Sequence, residues 1–149
     1  MKQLKLFLSV TGGLFLLTLL MQPAIAFGQE KARGIQFFNG TMDEAIAKAK
    51  TEKKNIFFDA YASWCEPCKH MDQEIYTRPD VADFFNNNFI CVRIDMEKGE
   101  GPALKKRYFS IDGYPSLLFL SSEGQVIKTI LGSRSGIVLV DEAKLTLVN

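Results

Sequence analysis

Short apolar runs recur along the chain at intervals that suit alternating strands and helices. The longest of them contain almost no polar residue, which is typical of strands buried on both faces of a sheet. The last two runs are separated by Ser121-Ser122-Glu123-Gly124, a sequence that favours a hairpin turn. We therefore predict five strands. They occupy residues 35–38, 56–61, 89–95, 116–120 and 126–131.

Helical patterns fill the intervals between these runs. The clearest begins with a capping box at Thr41 and Glu44 and extends to about Thr51. The triplet Asn86-Asn87-Asn88 is predicted to interrupt the helical pattern before the third strand. The resulting order β-α-β-α-β-α-β-β-α predicts an α/β fold, with a mixed central β-sheet flanked by helices on both faces. The other helices are predicted from Cys65 toward Tyr76, from Pro79, from Ala103 to Tyr108 and from Gly136 to Val148.

The first 26 residues have the three parts of a secretory signal peptide. Lys2 and Lys5 precede an apolar stretch over residues 6–21, and Pro23-Ala24-Ile25-Ala26 provides a cleavage site. We expect residues 1–26 to be removed and residues 27–149 to form one domain that is periplasmic or otherwise exported. An uncleaved N-terminal membrane anchor is the alternative, although the stretch is short for a membrane span.

Composition and charge exclude several classes of protein. Apolar residues make up 47% of the chain and charged residues 23%, which fits neither a disordered nor a multi-span membrane protein. Loss of Lys2 and Lys5 with the leader changes the formal net charge from +1 to −1. A domain without basic excess gives no electrostatic reason to expect nucleic acid as its main partner.

The chemistry is carried by Trp64-Cys65-Glu66-Pro67-Cys68-Lys69, at the junction of a buried strand and a helix. A sulfur at a helix N-terminus faces unpaired backbone N–H groups and the positive end of the helix dipole, which favour a thiolate. We expect Cys65 to be exposed and ionisable, and Cys68, three residues further along the helix, to be sheltered. This inequality predicts a dithiol that attacks with one sulfur and resolves with the other.

Three other interpretations of the two cysteines are less favoured. Zinc needs four ligands, and only His70 and the distant Cys91 could complete the set. Covalent haem attachment needs a histidine where Lys69 stands. A purely structural disulfide between Cys65 and Cys68 would close too small a loop to stabilise much. We expect neither a metal nor a cofactor.

With these motifs the chain resembles the thioredoxin family over residues 35–148. The similarity is carried by residues 58–69, which read FDAYASWCEPCK, by Gly113-Tyr114-Pro115-Ser116 and by Gly132. Within the family, residues 59–76 are most similar to the C-terminal domain of the transmembrane thiol–disulfide interchange reductase. The resemblance implies a thioredoxin fold in which the Tyr114–Pro115 bond is cis and faces the dithiol.

The resemblance also assigns roles. Cys65 would be the attacking thiolate, Cys68 the resolving thiol and Asp59 a buried carboxylate that takes the proton of Cys68. Burial should raise the pKa of Asp59. Cys91 occupies the position of the family's usual basic partner, so a Lys–Asp proton relay is not expected, and Cys91 is interpreted as inert core. Asp72 is interpreted as part of a solvated helix face.

A client-binding surface is expected around Cys65. The family resemblance implies that the backbone of Tyr114 pairs with an extended segment of the client. Trp64 and Tyr114 could instead be ordinary half-buried aromatics. The predicted client-binding residues are Trp64, Glu66, Pro67, Tyr114 and Pro115.

The pair between the cysteines suggests the direction of electron flow. Glu66, if it approaches the sulfur, disfavours the thiolate and favours the disulfide, whereas a histidine there would make a strong oxidant. The sequence thus predicts an exported protein-disulfide reductase or electron relay. Its partners would be dithiol or disulfide proteins and a membrane electron donor, and a monomer is favoured because no dimerisation arm is evident. A thiol oxidase, a disulfide isomerase and a non-catalytic binding module are the alternatives.

Overall fold

The computed structural model describes residues 33–108 and 111–147. The predicted signal peptide, residues 1–26, lies outside the described residues, and so does the boundary at residue 27. Within the described ranges, no helix combines the length and apolar character needed to cross a membrane.

Five α-helices, one π-helical turn and four strands make up the described part of the chain. Helix α1 starts at Thr41, whose side chain and that of Glu44 form the predicted capping box. In order, the elements are α1 (Met42–Glu52), β1 (Asn55–Tyr61), α2 (Glu66–His70), the π turn (Met71–Ile75), α3 (Pro79–Asn88), β2 (Phe89–Asp95), α4 (Gly101–Arg107), β3 (Ser116–Leu120), β4 (Val126–Leu131) and α5 (Gly136–Lys144).

The strands form one mixed sheet in the order β2-β1-β3-β4. Strand β1 pairs in parallel with β2 and antiparallel with β3, and β3 and β4 form the predicted hairpin. Alternate residues of β1 point to opposite faces. Phe57 packs into a core with residues of the π turn, α3 and α5. Phe58 packs into a second core with residues of α1 and α4. The predicted α/β class, with helices on both faces of a mixed sheet, is confirmed.

The predicted first strand, residues 35–38, is wrong in extent. Only Phe37 forms a bridge, to Cys91, and the backbone N–H of Phe38 donates to the Cys91 carbonyl at 2.7 Å. The N–H of Gln36 donates to the Asn86 side chain at 2.8 Å instead of to a neighbouring strand. A side chain of α3 thus takes the hydrogen bond that would have extended the ladder.

The prediction that the asparagine triplet interrupts the helical pattern before β2 is wrong. Helix α3 continues through Asn88, and β2 begins at the next residue, Phe89. The Asn88 side chain donates to the Phe84 carbonyl at 2.7 Å, and that of Asn86 donates to the Gly34 carbonyl at 3.2 Å. These bonds satisfy carbonyl groups at the end of the helix and in the adjacent loop, which offsets the low helix propensity of asparagine.

Candidate redox site

The two cysteines of the motif form a disulfide where β1 leads into α2. Cys65 and Cys68 are joined by an S–S bond with their Cα atoms 5.3 Å apart. Cys65 is the N-cap of α2, with an extended backbone, and Pro67 lies in the first helical turn. Proline suits that position because the first turn leaves its N–H groups without helical partners. The sequence therefore brings both sulfurs to the start of the helix, as predicted.

The hydrogen bonding of the two sulfurs is unequal. The backbone N–H of Cys68 donates to Sγ of Cys65 at 3.2 Å, so the Cys65 sulfur acts as the helix cap. A thiolate there would keep this donor and the favourable end of the helix dipole when the disulfide is reduced. Cys65 is thus the sulfur that the fold equips to carry negative charge.

Unequal exposure of the sulfurs, by contrast, is a wrong prediction for this disulfide form. Cys65 is 3% exposed and Cys68 is 1% exposed. The bond draws the Cys65 sulfur toward its partner, and Ala62, Tyr61 and Tyr114 pack around the pair. The difference between the two cysteines therefore lies in helix capping and hydrogen bonding, and solvent access does not distinguish them.

Asp59 is a buried carboxyl group on β1. It points to the same face as Phe57 and has no exposed surface. Burial raises its pKa from 3.8 to about 6, while the charge of Arg93 and the nearby Tyr76 hydroxyl partly oppose the rise. The predicted upward shift in the pKa of Asp59 is confirmed, and at neutral pH the carboxyl is poised to exchange a proton.

The basic partner of Asp59 is Arg93, which sequence reasoning missed. Its Nε lies 3.1 Å from Oδ2 of Asp59, and only 17% of its side chain is exposed. Asp59 and Arg93 are register partners in the parallel pair of β1 and β2. Side chains opposite one another in a parallel pair point to the same face of the sheet. Alignment of the two predicted strands could therefore have identified Arg93 as the neighbour of Asp59. The family resemblance placed the basic partner at the position of Cys91, two residues before Arg93.

Asp72 also differs from its interpretation as part of a solvated helix face. It lies in the π turn directly after α2, and its carboxylate hydrogen-bonds to Nη1 of Arg93. Its negative charge raises the pKa of Asp59. Although about half of the Asp72 side chain is exposed, the residue is thus tied to the buried carboxyl through one arginine.

The predicted client-binding residues divide by burial. Trp64 is 63% exposed, Pro67 is exposed and Tyr114 is half-buried. The Trp64 and Tyr114 rings meet edge to face with their centroids 5.9 Å apart. Pro115 is buried, so its ring does not belong to the predicted surface. The Tyr114–Pro115 bond is cis, the isomer that the family resemblance implies.

Charged side chains flank these aromatics. The exposed Glu66 carboxylate pairs with Lys69 at 2.5 Å. Lys69 and solvent therefore screen the charge of Glu66, which reduces its expected influence on Cys65. Sequence reasoning missed Glu97, which accepts a hydrogen bond from the Trp64 indole at 2.8 Å. No local pattern pointed to Glu97, because the contact joins separate loops.

Cys91 is confirmed as a core residue. It is 2% exposed on β2, and burial raises the pKa of its thiol above the ordinary range. The thiol therefore stays protonated at neutral pH. In the described part of the chain, no cluster of three or more His, Cys, Asp or Glu residues is placed to hold a metal ion.

Comparison with known proteins decides the family. A model of thioredoxin-like domains matches residues 38–122. The chain belongs to the thioredoxin-like family. Among solved structures, it is 36% identical to a putative disulphide-isomerase from Bacteroides thetaiotaomicron, with a TM-score of 0.69 over 80% of this chain and 98% of that one. The family and the Cys65–Cys68 pair make this a thioredoxin-like disulfide oxidoreductase.

Longer relatives share the same domain. The thiol:disulfide interchange protein DsbD of Pseudoalteromonas atlantica is 34% identical over 95 residues, which are 62% of this chain and 15% of that protein. The chain thus matches about a seventh of the length of such relatives. The oxidised DsbD C-terminal domain of Neisseria meningitidis is 23% identical, with a TM-score of 0.61 over 74% of this chain and 99% of that one, and it shows the shared fold.

Proposed function

We propose that this chain is an exported protein-disulfide reductase or electron relay that acts through Cys65 and Cys68. The observation that carries the proposal is the disulfide at the start of α2, with Cys65 as the helix cap. Such a position stabilises a thiolate that can attack a second disulfide. The names of the interchange-protein relatives agree with this chemistry.

The reaction moves two electrons from the reduced pair to a client. The Cys65 thiolate attacks one sulfur of a client disulfide, whose S–S bond breaks and releases the first client thiolate. Cys68 then passes its proton to the Asp59 carboxylate and attacks Sγ of Cys65. This step forms the Cys65–Cys68 bond and releases the second client sulfur as a thiolate. The client is reduced, and the protein is left with the disulfide described above.

Clients would bind at the exposed surface beside the disulfide. Trp64, Pro67 and Tyr114 offer apolar area that an extended segment could cover. Glu97 fixes the indole of Trp64 through its hydrogen bond, so the aromatic is held ready for contact. Lys105 lies over the Tyr114 ring at 5.3 Å and adds a positive charge at the edge of this surface.

The residues between the cysteines support the proposed reductive direction. Glu66 and Pro67 supply no cation, whereas strong oxidants owe their potential to a strongly stabilised thiolate. The Cys65 thiol is therefore expected to have a pKa near ~7, the value typical of thioredoxin-like sites. An exported protein is separated from the soluble pool of reductants in the cytoplasm. A membrane protein would therefore have to return two electrons to the Cys65–Cys68 disulfide. We expect residues 27–149 to act as a monomer.

Equilibration with glutathione tests the direction of the reaction. The ratio of oxidised to reduced protein, measured by alkylation and mass spectrometry, gives the reduction potential of the Cys65–Cys68 couple. A reductase should have a potential near about −270 mV. A potential near about −120 mV would identify a thiol oxidase and refute the proposal.

Disulfide isomerisation is the second candidate, because the Bacteroides thetaiotaomicron relative is described as a putative disulphide-isomerase. Recovery of activity from scrambled ribonuclease separates the two functions. A reductase should reduce insulin efficiently and restore little ribonuclease activity. The reverse pattern would favour the isomerase.

A further inference from the structure

Three charged side chains from three elements meet on the face of the sheet against which the π turn packs. Asp59 lies on β1, Arg93 on β2 and Asp72 in the π turn. The guanidinium lies between the two carboxylates, with Nε 3.1 Å from Oδ2 of Asp59 and Nη1 bonded to Oδ1 of Asp72. One cation is therefore shared by a buried and a half-exposed anion.

The sharing is uneven. Nη1 of Arg93 donates a hydrogen bond to Oδ1 of Asp72. Among the described residues, no donor reaches either carboxylate oxygen of Asp59 in hydrogen-bond geometry. The Nε of Arg93 likewise has no acceptor in hydrogen-bond geometry. Asp59 is thus close to a positive charge without receiving the paired N–H bonds that an arginine can give to a carboxylate.

The guanidinium is held in this position from other sides as well. Its central carbon lies 4.4 Å from the centroid of the Tyr61 ring and 5.9 Å from that of Phe37. Cation–π contacts of this kind attract the guanidinium to the ring faces. Arg93 therefore cannot turn its fork toward Asp59 without giving up contacts to Asp72 and the rings.

We propose that Asp72 and Arg93 are positioning residues, in which Asp72 holds the arginine fork away from Asp59 and so keeps the buried carboxylate available as a proton acceptor. This inference rests on the proposed function, because it assigns how the proton of Cys68 is received. Both residues belong to this chain's own elements, Arg93 to β2 and Asp72 to the π turn.

The electrostatics around Asp59 agree with that role. The groups facing it are Arg93 from β2, Asp72 from the π turn and the Tyr76 hydroxyl just after that turn, while its partner on β3 is the apolar Leu117. A full pair with arginine would lower the pKa of Asp59 by about 1–3 units and weaken it as a base. With Asp72 in place, the pKa of Asp59 is about 6.

Titration of Asp59 in oxidised protein, followed by the ¹³C shift of its carboxyl, tests the inference without any assay of activity. Asp72→Asn removes a negative charge and frees the fork of Arg93, so the midpoint should move to lower pH. Arg93→Met removes the cation, so the midpoint should rise by about 1 unit or more. A direct effect of the Asp72 charge would lower the midpoint in an Arg93→Met background as well, whereas a role exerted through Arg93 would lower it only when the arginine is present. Equal lowering in both backgrounds would overturn the positioning role.

Asp80→Asn is the matched control, because Asp80 forms an exposed pair with Arg78 at 2.9 Å away from β1. It should leave the Asp59 midpoint unchanged. A midpoint that is unchanged or raised in Asp72→Asn overturns the inference, even if Arg93→Met does not fold. A potential typical of an oxidase, together with the lowered midpoint in Asp72→Asn, would refute the proposed direction and leave the positioning role supported.

Discussion

The three cysteines of this chain occupy two environments that burial alone does not distinguish. Cys65, Cys68 and Cys91 are 3%, 1% and 2% exposed. Cys65 lies at the first turn of a helix, where a backbone N–H reaches its sulfur, and Cys68 lies within bonding distance of it. Cys91 lies in the middle of a strand, and its sulfur is 3.8 Å from the carbonyl oxygen of Phe85.

The comparison shows that backbone surroundings decide what a buried sulfur can do. A carbonyl oxygen accepts the hydrogen of a neutral thiol and disfavours a thiolate, whereas a helix N-terminus supplies donors and a favourable dipole. Burial then raises the pKa of the Cys91 thiol, and the charge of Lys54 opposes this rise without cancelling it. Reactivity at the motif therefore follows from where α2 begins.

The largest expected difference between the two environments is in catalysis. Cys65→Ser should lower the rate of insulin reduction to the uncatalysed rate, because it removes the sulfur that caps the helix and is proposed to attack the client. Cys91→Ala should leave the rate unchanged and cost about 1 kcal/mol of folding free energy by opening a small cavity. Turbidity of reduced insulin and urea unfolding measure the two effects. Equal losses of activity in both variants would contradict the comparison.

Asp59→Asn should slow the step that belongs to Cys68. Without a proton acceptor, closure of the Cys65–Cys68 bond should slow by about 10²–10⁴. Attack by Cys65 on the client should change much less, since its thiolate is stabilised by the helix. Stopped-flow quenching with mass spectrometry separates the two steps, with Asp80→Asn as the control. Similar slowing of both steps would remove Asp59 from the proton transfer.

The same substitution should change stability in a pH-dependent way. The pKa of Asp59 is about 6 in the folded protein and 3.8 without burial, so the folded state binds the extra proton between these values. Its stabilising contribution is present below about pH 4 and is lost as the pH rises through about 6. Asp59→Asn should therefore stabilise the oxidised protein at pH 8 by about 1–3 kcal/mol, and not at pH 4. Denaturant unfolding at the two pH values measures this, and equal effects at both would contradict the burial argument.

Much of the fold could be predicted because local patterns and tertiary packing agree. The β2, β3 and β4 boundaries follow apolar runs, and α1 follows its capping box. The predicted strand at residues 35–38 failed because the Asn86 side chain competes for its backbone hydrogen bonds. That competition joins residues far apart in the sequence, so no local pattern contains it.

The candidate site likewise contains features that local sequence patterns predict and contacts that they do not. The positions of Cys65 and Cys68 and the burial of Asp59 follow from a motif at a strand end. The Arg93 and Asp72 contacts depend on strand register and on the π turn, which the residue pattern does not specify. The sheltering of both sulfurs depends on packing by Tyr61 and Tyr114 in the disulfide form.

The pH dependence of alkylation in the reduced protein tests the central comparison most directly. Iodoacetamide modification of Cys65 and Cys91 can be followed by mass spectrometry between pH 5 and 10 under native conditions. We expect Cys65 to react with a midpoint near ~7 and Cys91 to stay unmodified until the protein unfolds. A Cys65 midpoint near the ~8.5 of an ordinary thiol, or modification of native Cys91 at a similar rate, would contradict the account.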